Sequence, residues 1–253
     1  MRTSHVSLPI LALAAVASLT PGCFGNDPLG LEGDWSRGER NNTQWQLGDG
    51  LCPGLAGGCA LDVPLAVGLE TQLRVEGVSS AMPTVNTPSN TAGVSIRPDA
   101  ENQQATISFA TTAAGSARFL ISDERGEVDA ATVQIRQATR IECGVLRGGG
   151  EPNWAMAGLT FSETNTVPLE PATSTAVMNS LACRTSDSTG PLLSANAIRW
   201  TIIEGTAVTL NDHDFDPTTI RGAHIDYTTR ERGTVQVRAT LGELSDTFNL
   251  TVE

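Results

Sequence analysis

Residues 233–252 read GTVQVRATLGELSDTFNLTV, a pattern that indicates a β-rich fold. Apolar residues alternate with polar ones in 235–239 and again in 248–252, which is the period of a strand with one buried face. Gly242 lies between the two runs, where a turn is expected. The stretch therefore predicts two β-strands at the end of the chain.

The same alternation recurs along most of the chain. It begins with Leu61, Val63, Leu65 and Val67, and Gly, Pro, Asn or Asp residues separate the later runs. Those runs contain the pairs Leu73 and Val75, Val94 and Ile96, Ile107 and Phe109, Phe119 and Ile121, and Val133 and Ile135. A second series of short strands begins near Thr139. Strands this short and regular predict a sandwich or barrel.

Residues 185–253 resemble the later part of a group-2 bacterial immunoglobulin-like domain, the kind found in intimin-like and other surface proteins. The resemblance rests on Asp187-x-x-Gly190, on Ile198-Arg199-Trp200-Thr201, on Ala207-Val208, and on the two runs of 233–240 and 248–252. Residues 64–68 and 115–121 form a fainter copy without the Trp. The resemblance implies that the final two strands are a hairpin. It also implies modules that act as spacers and binding surfaces rather than catalysts.

We predict an all-β chain with two immunoglobulin-like β-sandwich domains in tandem, at 51–138 and 139–253. A signal peptide at 1–22 and a flexible tether at 23–50 precede them. The tether is rich in Gly, Asp, Asn and Arg, so it cannot bury enough apolar area to fold alone. Trp45 is its one residue that we expect to pack on the first domain. Trp200, in mid-strand between Ile198 and Ile202, is expected to fill the second core.

The first 23 residues predict export. Arg2 and His5 precede the apolar run 6–19, which is too short to span a bilayer, and Thr20-Pro21-Gly22-Cys23 follows. This resembles a bacterial lipoprotein signal, which implies a diacylglycerol on Cys23 and attachment to the outer membrane, on the cell surface or the periplasmic face. Thr20 departs from the family, which has Leu, Val or Ile there. An ordinary secretory signal cut near Gly22 is the alternative.

Charge excludes nucleic acid as a partner. The chain has 28 acidic and 16 basic residues, and since Arg2 leaves with the signal, the mature part carries 15 minus 28, or −13. It has no lysine, and a phosphate-binding surface needs clustered basic side chains. Membrane attachment is therefore expected through the lipid alone. The protein or glycan ligand and the oligomeric state stay open.

Four cysteines besides Cys23 predict two disulfides in an exported chain. Of three possible connectivities we favour Cys52 with Cys59 and Cys143 with Cys183, because each pair falls inside one predicted domain. A zinc site is disfavoured by the spacing of the first pair and by the presence of only two histidines in the mature chain.

The acidic run 211–216 contains Asp212, Asp214 and Asp216, alternate carboxylates that suit calcium. An EF-hand counted from Asp212 fails, because Pro217 and Ala223 replace the required Gly and Glu. A looser calcium site shared with Asp226 or Glu231 is one interpretation, and a solvated turn between strands is the other.

No catalytic motif is present, and we predict that the chain is not an enzyme. It has no GxSxG, SxxK, HExxH or GxGxxG sequence. His224 and Asp226 lie at alternate positions of one predicted strand, where two polar residues on a wet sheet face need no catalytic role. The predicted function is a lipid-anchored adhesive, binding or structural envelope module. A carbohydrate-binding module that uses Trp154 or Tyr227, or an accessory protein of an envelope complex, is the alternative.

Overall fold

The computed structural model describes residues 35–47, 60–145, 165–169, 180–194, 197–211 and 224–253. Eighteen β-strands account for most of these residues, and no α-helix occurs among them, in agreement with the predicted all-β fold. Within the same ranges no helix is long and apolar enough to cross a bilayer.

The first sandwich contains nine strands in two sheets. One sheet has the order β1-β2-β4-β7-β6 and the other the order β3-β9-β8-β5. Their bounds are β1 Ser36–Arg37, β2 Gln44–Leu47, β3 Leu65–Ala66, β4 Glu70–Glu76, β5 Thr84–Val85, β6 Thr91–Asp99, β7 Gln104–Thr111, β8 Gly115–Asp123 and β9 Gly126–Arg136.

The second sandwich also contains nine strands in two sheets. One sheet has the order β10-β12-β16-β15, with β13 also paired to β12, and the other the order β11-β18-β17-β14. Their bounds are β10 Arg140–Val145, β11 Thr166–Val167, β12 Ser180–Asp187, β13 Gly190–Leu192, β14 Arg199–Glu204, β15 Val208–Asn211, β16 His224–Thr229, β17 Gly233–Leu241 and β18 Leu244–Val252.

The two sandwiches share one strand order. When β1, β3, β11 and β13 are set aside, each sandwich has seven strands, and its first, second, fifth and fourth strands form one sheet (β2-β4-β7-β6 and β10-β12-β16-β15). The other sheet contains the third strand and the final hairpin, and a two-residue strand, β3 or β11, runs parallel to the last strand. This is the immunoglobulin order, in which strands A, B, E and D face strands C, F and G.

Each sandwich closes over its own core because the inward side chains of its two sheets meet. Along β7 the buried residues are Ala105, Ile107, Phe109 and Thr111, at the predicted spacing of two. The ring of Phe109 lies 4.6 Å from that of Phe119 on the facing sheet. In the second sandwich Trp200 is 2% exposed, so the prediction that it fills the core is confirmed.

The first sandwich begins earlier than residue 51, so assigning all of 23–50 to a tether was wrong. Trp45 and Leu47 are fully buried, and β2 pairs with β4 from Gln44 to Leu47. The segment has little apolar area of its own, and it is ordered by a sheet that forms from later residues. The sandwiches meet at residues 137–139, between β9 and β10, next to the predicted boundary.

The strand predicted from Leu61 to Val67 is also mostly absent. Residues 61–63 form a turn, and only Leu65 and Ala66 are in a strand. Both are fully buried. The apolar residues there do not form one buried face of a long strand. Leu65 packs in the first core and Ala66 in the second, so two successive side chains are buried.

Candidate functional site

Most of the predicted site residues lie outside the described residues. These are the lipidation candidate, the first cysteine pair, the tryptophan and the acidic run: Cys23, Cys52, Cys59, Trp154, Asp212, Asp214 and Asp216. The second predicted cysteine pair is described, and Cys143 and Cys183 form a disulfide with a Cα–Cα distance of 4.1 Å.

The prediction that Asp226 lies on a solvent-exposed sheet face is wrong. It is 8% exposed, and its Oδ1 accepts a hydrogen bond from the Ser180 hydroxyl at 2.6 Å. Tyr227 is 4% exposed within the second core, which removes it as an exposed platform for a sugar. The burial of Asp226 was not readable from the sequence, because the residues of β16 alternate polar and apolar and Thr228, on the same face as Asp226, is exposed.

The two side chains suggested as partners of the acidic run lie apart. Asp226 is near the start of β16, opposite Asn211, whereas Glu231 follows the end of that strand and accepts a hydrogen bond from Thr206 at 2.6 Å. Among the described residues no group of three or more His, Cys, Asp or Glu side chains is placed to hold a metal ion.

The largest structural feature that sequence reasoning missed is the joint between the sandwiches. Leu65 of the first sandwich forms a parallel β-bridge with Leu193 of the second. The Ala66 amide donates to the Leu193 carbonyl at 2.7 Å, and the Leu193 amide donates to the Pro64 carbonyl at 2.9 Å. Leu193 is buried in the first core and Ala66 in the second. The two cores therefore exchange one residue each.

A polar contact flanks the bridge. Arg136, the last residue of β9, lies 3.7 Å from the Asp187 carboxylate and donates to the Thr189 hydroxyl. The Thr139 amide donates to the Ser186 carbonyl at 3.0 Å. Hydrogen bonds from the side chain and backbone of Thr189 lower the pKa of Asp187, so this carboxyl is ionised opposite Arg136 at neutral pH. The joint thus combines a bridge, a salt bridge and a short covalent link.

A second missed feature is the buried carboxylate of Asp129 on β9. Its Oδ1 accepts from the amides of Arg40 and Ala130, both at 2.8 Å. Its Oδ2 accepts from the Asn42 amide, the Thr43 amide and the Thr43 hydroxyl, each at 2.9 Å. Three of these five donors are backbone amides in the β1–β2 hairpin loop, so one side chain fastens the N-terminal hairpin to the facing sheet.

The surroundings of Asp129 leave no spare room. A Cβ on Gly38 would lie 2.2 Å from the Asp129 Oδ2, so any side chain at position 38 would overlap this carboxylate. The indole nitrogen of Trp45 donates to the Thr43 hydroxyl at 2.6 Å, which extends the network into the core. Burial alone would raise the pKa of Asp129, but the hydrogen bonds outweigh burial and hold the pKa below its ordinary value.

The outer rim of the same hairpin carries an ionic network. Glu39 accepts three hydrogen bonds from the Arg118 guanidinium, one at 2.8 Å and two at 3.0 Å, and Arg40 lies 2.9 Å from Glu127. Solvent reaches these groups and screens their charges, so each pair adds little stability. One sequence signal could have placed Asp129 on the inner face of β9. This residue lies an even number of positions before the apolar Ala131, Val133 and Ile135, so all four side chains lie on the same face of the strand.

No family model matches the sequence, and no curated protein matches it. Among solved structures, domains 5–6 of the S-layer protein SbsC are 15% identical, with a TM-score of 0.28, over 76% of this chain and 93% of that one. The adhesin InvE of Yersinia pseudotuberculosis is 12% identical, with a TM-score of 0.31, over 76% and 56%. Invasin, a bacterial integrin-binding protein, is 10% identical, with a TM-score of 0.31, over 86% and 41%. This chain spans about half the length of those two structures.

Proposed function

We propose that this chain is an exported, non-catalytic arm of the bacterial cell envelope, attached to the outer membrane through a lipid on Cys23. In this role the two sandwiches hold an adhesive or structural surface away from the membrane. The signal-like sequence that ends at Cys23 and the absence of catalytic motifs support the proposal. It assigns the chain neither a cofactor nor a nucleic-acid partner.

The observation that carries the proposal is the joint. Two sandwiches linked only by residues 137–139 would bend freely, since interfaces between domains are usually mobile. Here bending has to separate the Leu65–Leu193 bridge and expose the leucine that one core contributes to the other. Exposing a buried Leu side chain costs about 1.5–3 kcal/mol. A stiff joint suits a spacer better than it suits an enzyme that closes around a substrate.

Protease treatment of intact cells tests the location. An antibody to residues 139–253 follows the full-length band before and after the outer membrane is broken, with a Cys23→Ser variant as the matched control. Loss of the band on intact cells indicates an outward-facing adhesive arm, and loss only after breakage indicates a periplasmic scaffold. Recovery of the wild type in the soluble fraction of broken cells, as expected for the Cys23→Ser variant, would refute lipid anchoring.

Small-angle scattering of the Cys23→Ser chain tests the stiffness. We expect the maximum dimension to stay constant between low and high salt, because the bridge and the exchanged leucine are not ionic. A scattering curve that requires a broad range of angles between the sandwiches would contradict the proposed spacer role.

A further inference from the structure

The Cys143–Cys183 disulfide joins two neighbouring strands of one sheet. The residues are direct partners in the β10–β12 register. β10 lies at the edge of its sheet, whereas β12 has β10 on one side and β16 on the other. The two cysteines are 40 residues apart, so the bond closes a loop that contains β11 and much of the first half of the domain.

Tension along the chain reaches this edge strand first. β9 continues into β10 through residues 137–139, so once the joint at Leu65 and Leu193 has separated, a pull from the N-terminal side enters the second sandwich at Arg140. Three residues, Arg140 to Glu142, precede Cys143 in the ladder with β12. They are held by backbone hydrogen bonds and by the ion pair of Glu142 with Arg184, which are contacts that a sustained pull can break.

We propose that the Cys143–Cys183 bond is a covalent length stop that transfers tension from the edge strand β10 to the interior strand β12. Once residues 140–142 are detached, the load passes through the two sulfur atoms to Cys183. Residues 144–182 then carry no tension and cannot extend. The biological purpose of such a stop depends on the proposed envelope arm, but the mechanical behaviour follows from the covalent connection and the strand order.

The size of the effect follows from the loop. Forty Cα steps at about 3.3–3.6 Å each correspond to roughly 130–140 Å of chain that the bond withholds. Arg140 and Val252 are 252 minus 140, or 112, steps apart, and 112 minus 40 leaves 72. The unfolded second sandwich should therefore have a contour length of about 240–260 Å with the bond and about 370–400 Å without it.

Single-molecule force spectroscopy of the full mature chain, held at both ends, measures these lengths. The comparison is between the wild type and a Cys143→Ser/Cys183→Ser variant, both with Cys23→Ser to prevent coupling between molecules. A Cys52→Ser/Cys59→Ser variant is the matched control. Those two residues are only seven steps apart, so any bond between them withholds about 25 Å at most.

We expect the unfolding step of the second sandwich to be about 130–140 Å shorter in the wild type than in the Cys143→Ser/Cys183→Ser variant, and unchanged in the control. If that variant does not fold, the wild-type contour length decides alone: about 240–260 Å supports the stop and about 370–400 Å refutes it. Location on cells is measured separately by protease treatment. A contour length that does not fit the stop would therefore leave the proposed function standing, and an exported chain found without a lipid anchor would leave the stop standing.

Discussion

Replacing Asp129 with Asn is the sharpest test of how the N-terminal hairpin is held. The substitution keeps the shape of the side chain but leaves only one acceptor oxygen where the carboxylate has two. If that oxygen takes the Oδ2 position, the new NH₂ group faces the amides of Arg40 and Ala130, two donors that then have no acceptor. The opposite orientation faces the three donors from Asn42 and Thr43 and is worse.

The expected loss follows from those unpaired donors. A buried donor without an acceptor costs about 1–3 kcal/mol. The Arg40 amide is only partly buried and can find water, so we expect Asp129→Asn to lower the free energy of unfolding of the first sandwich by about 2–4 kcal/mol. The substitution should also increase the mobility of residues 38–43, because their backbone amides lose the acceptors that hold this loop in place.

Urea unfolding followed by tryptophan fluorescence measures the effect, since Trp45 is fully buried beside this network. The matched control is Asp123→Asn, at a turn where the carboxylate accepts a single local bond from the Arg125 amide. That control should change the free energy of unfolding by about 0.5 kcal/mol or less. A loss of under about 1 kcal/mol for Asp129→Asn, similar to the control, would refute the view that one carboxylate fastens the hairpin.

Gly38→Ala should lower the urea midpoint of the first sandwich about as much as Asp129→Asn does, because the new methyl group overlaps a carboxylate that five hydrogen bonds hold in place. A midpoint equal to that of the wild type would mean that the loop can shift. Because the pKa of Asp129 is lowered in the folded chain, its contribution is present at neutral pH and is lost as the pH falls below about 4. Urea midpoints measured from pH 7 to 3 should therefore decline less in Asp129→Asn than in the wild type. Leu193→Ala should destabilise the first sandwich by about 2–5 kcal/mol, although the residue belongs to the second, and an effect confined to the second transition would contradict the exchange of core residues.

The alternation of apolar and polar residues predicted the long strands well, because it depends only on which face of each strand is buried. In β4, β7, β17 and β18 one face meets the core and the other meets water or polar neighbours, so a spacing of two is visible in the sequence. The Cys143–Cys183 pairing was also found, since proximity in sequence within one domain happened to agree with the register. Trp200 was placed correctly for the same local reason.

The joint and the hairpin could not be predicted because their constraints are not local. Leu65 and Ala66 are buried on both sides by a segment far along the chain, so their pattern resembles an ordinary strand. The hairpin loop has a polar composition typical of a tether, and its order comes from Asp129, 89 residues after Arg40. Asp226 was misplaced because a buried acid is readable only when its partner, here Ser180, is known.

The exchanged residues at the joint also bear on the order in which the chain folds. Leu193 is 128 residues beyond its bridge partner Leu65, so the first core lacks one of its leucines until the second domain has begun to assemble. Contacts between residues this far apart form late, because the intervening loop must close before they contribute. The N-terminal domain should thus acquire its final stability only as a late kinetic phase, and a truncation at residue 138 should refold faster but to a less stable state.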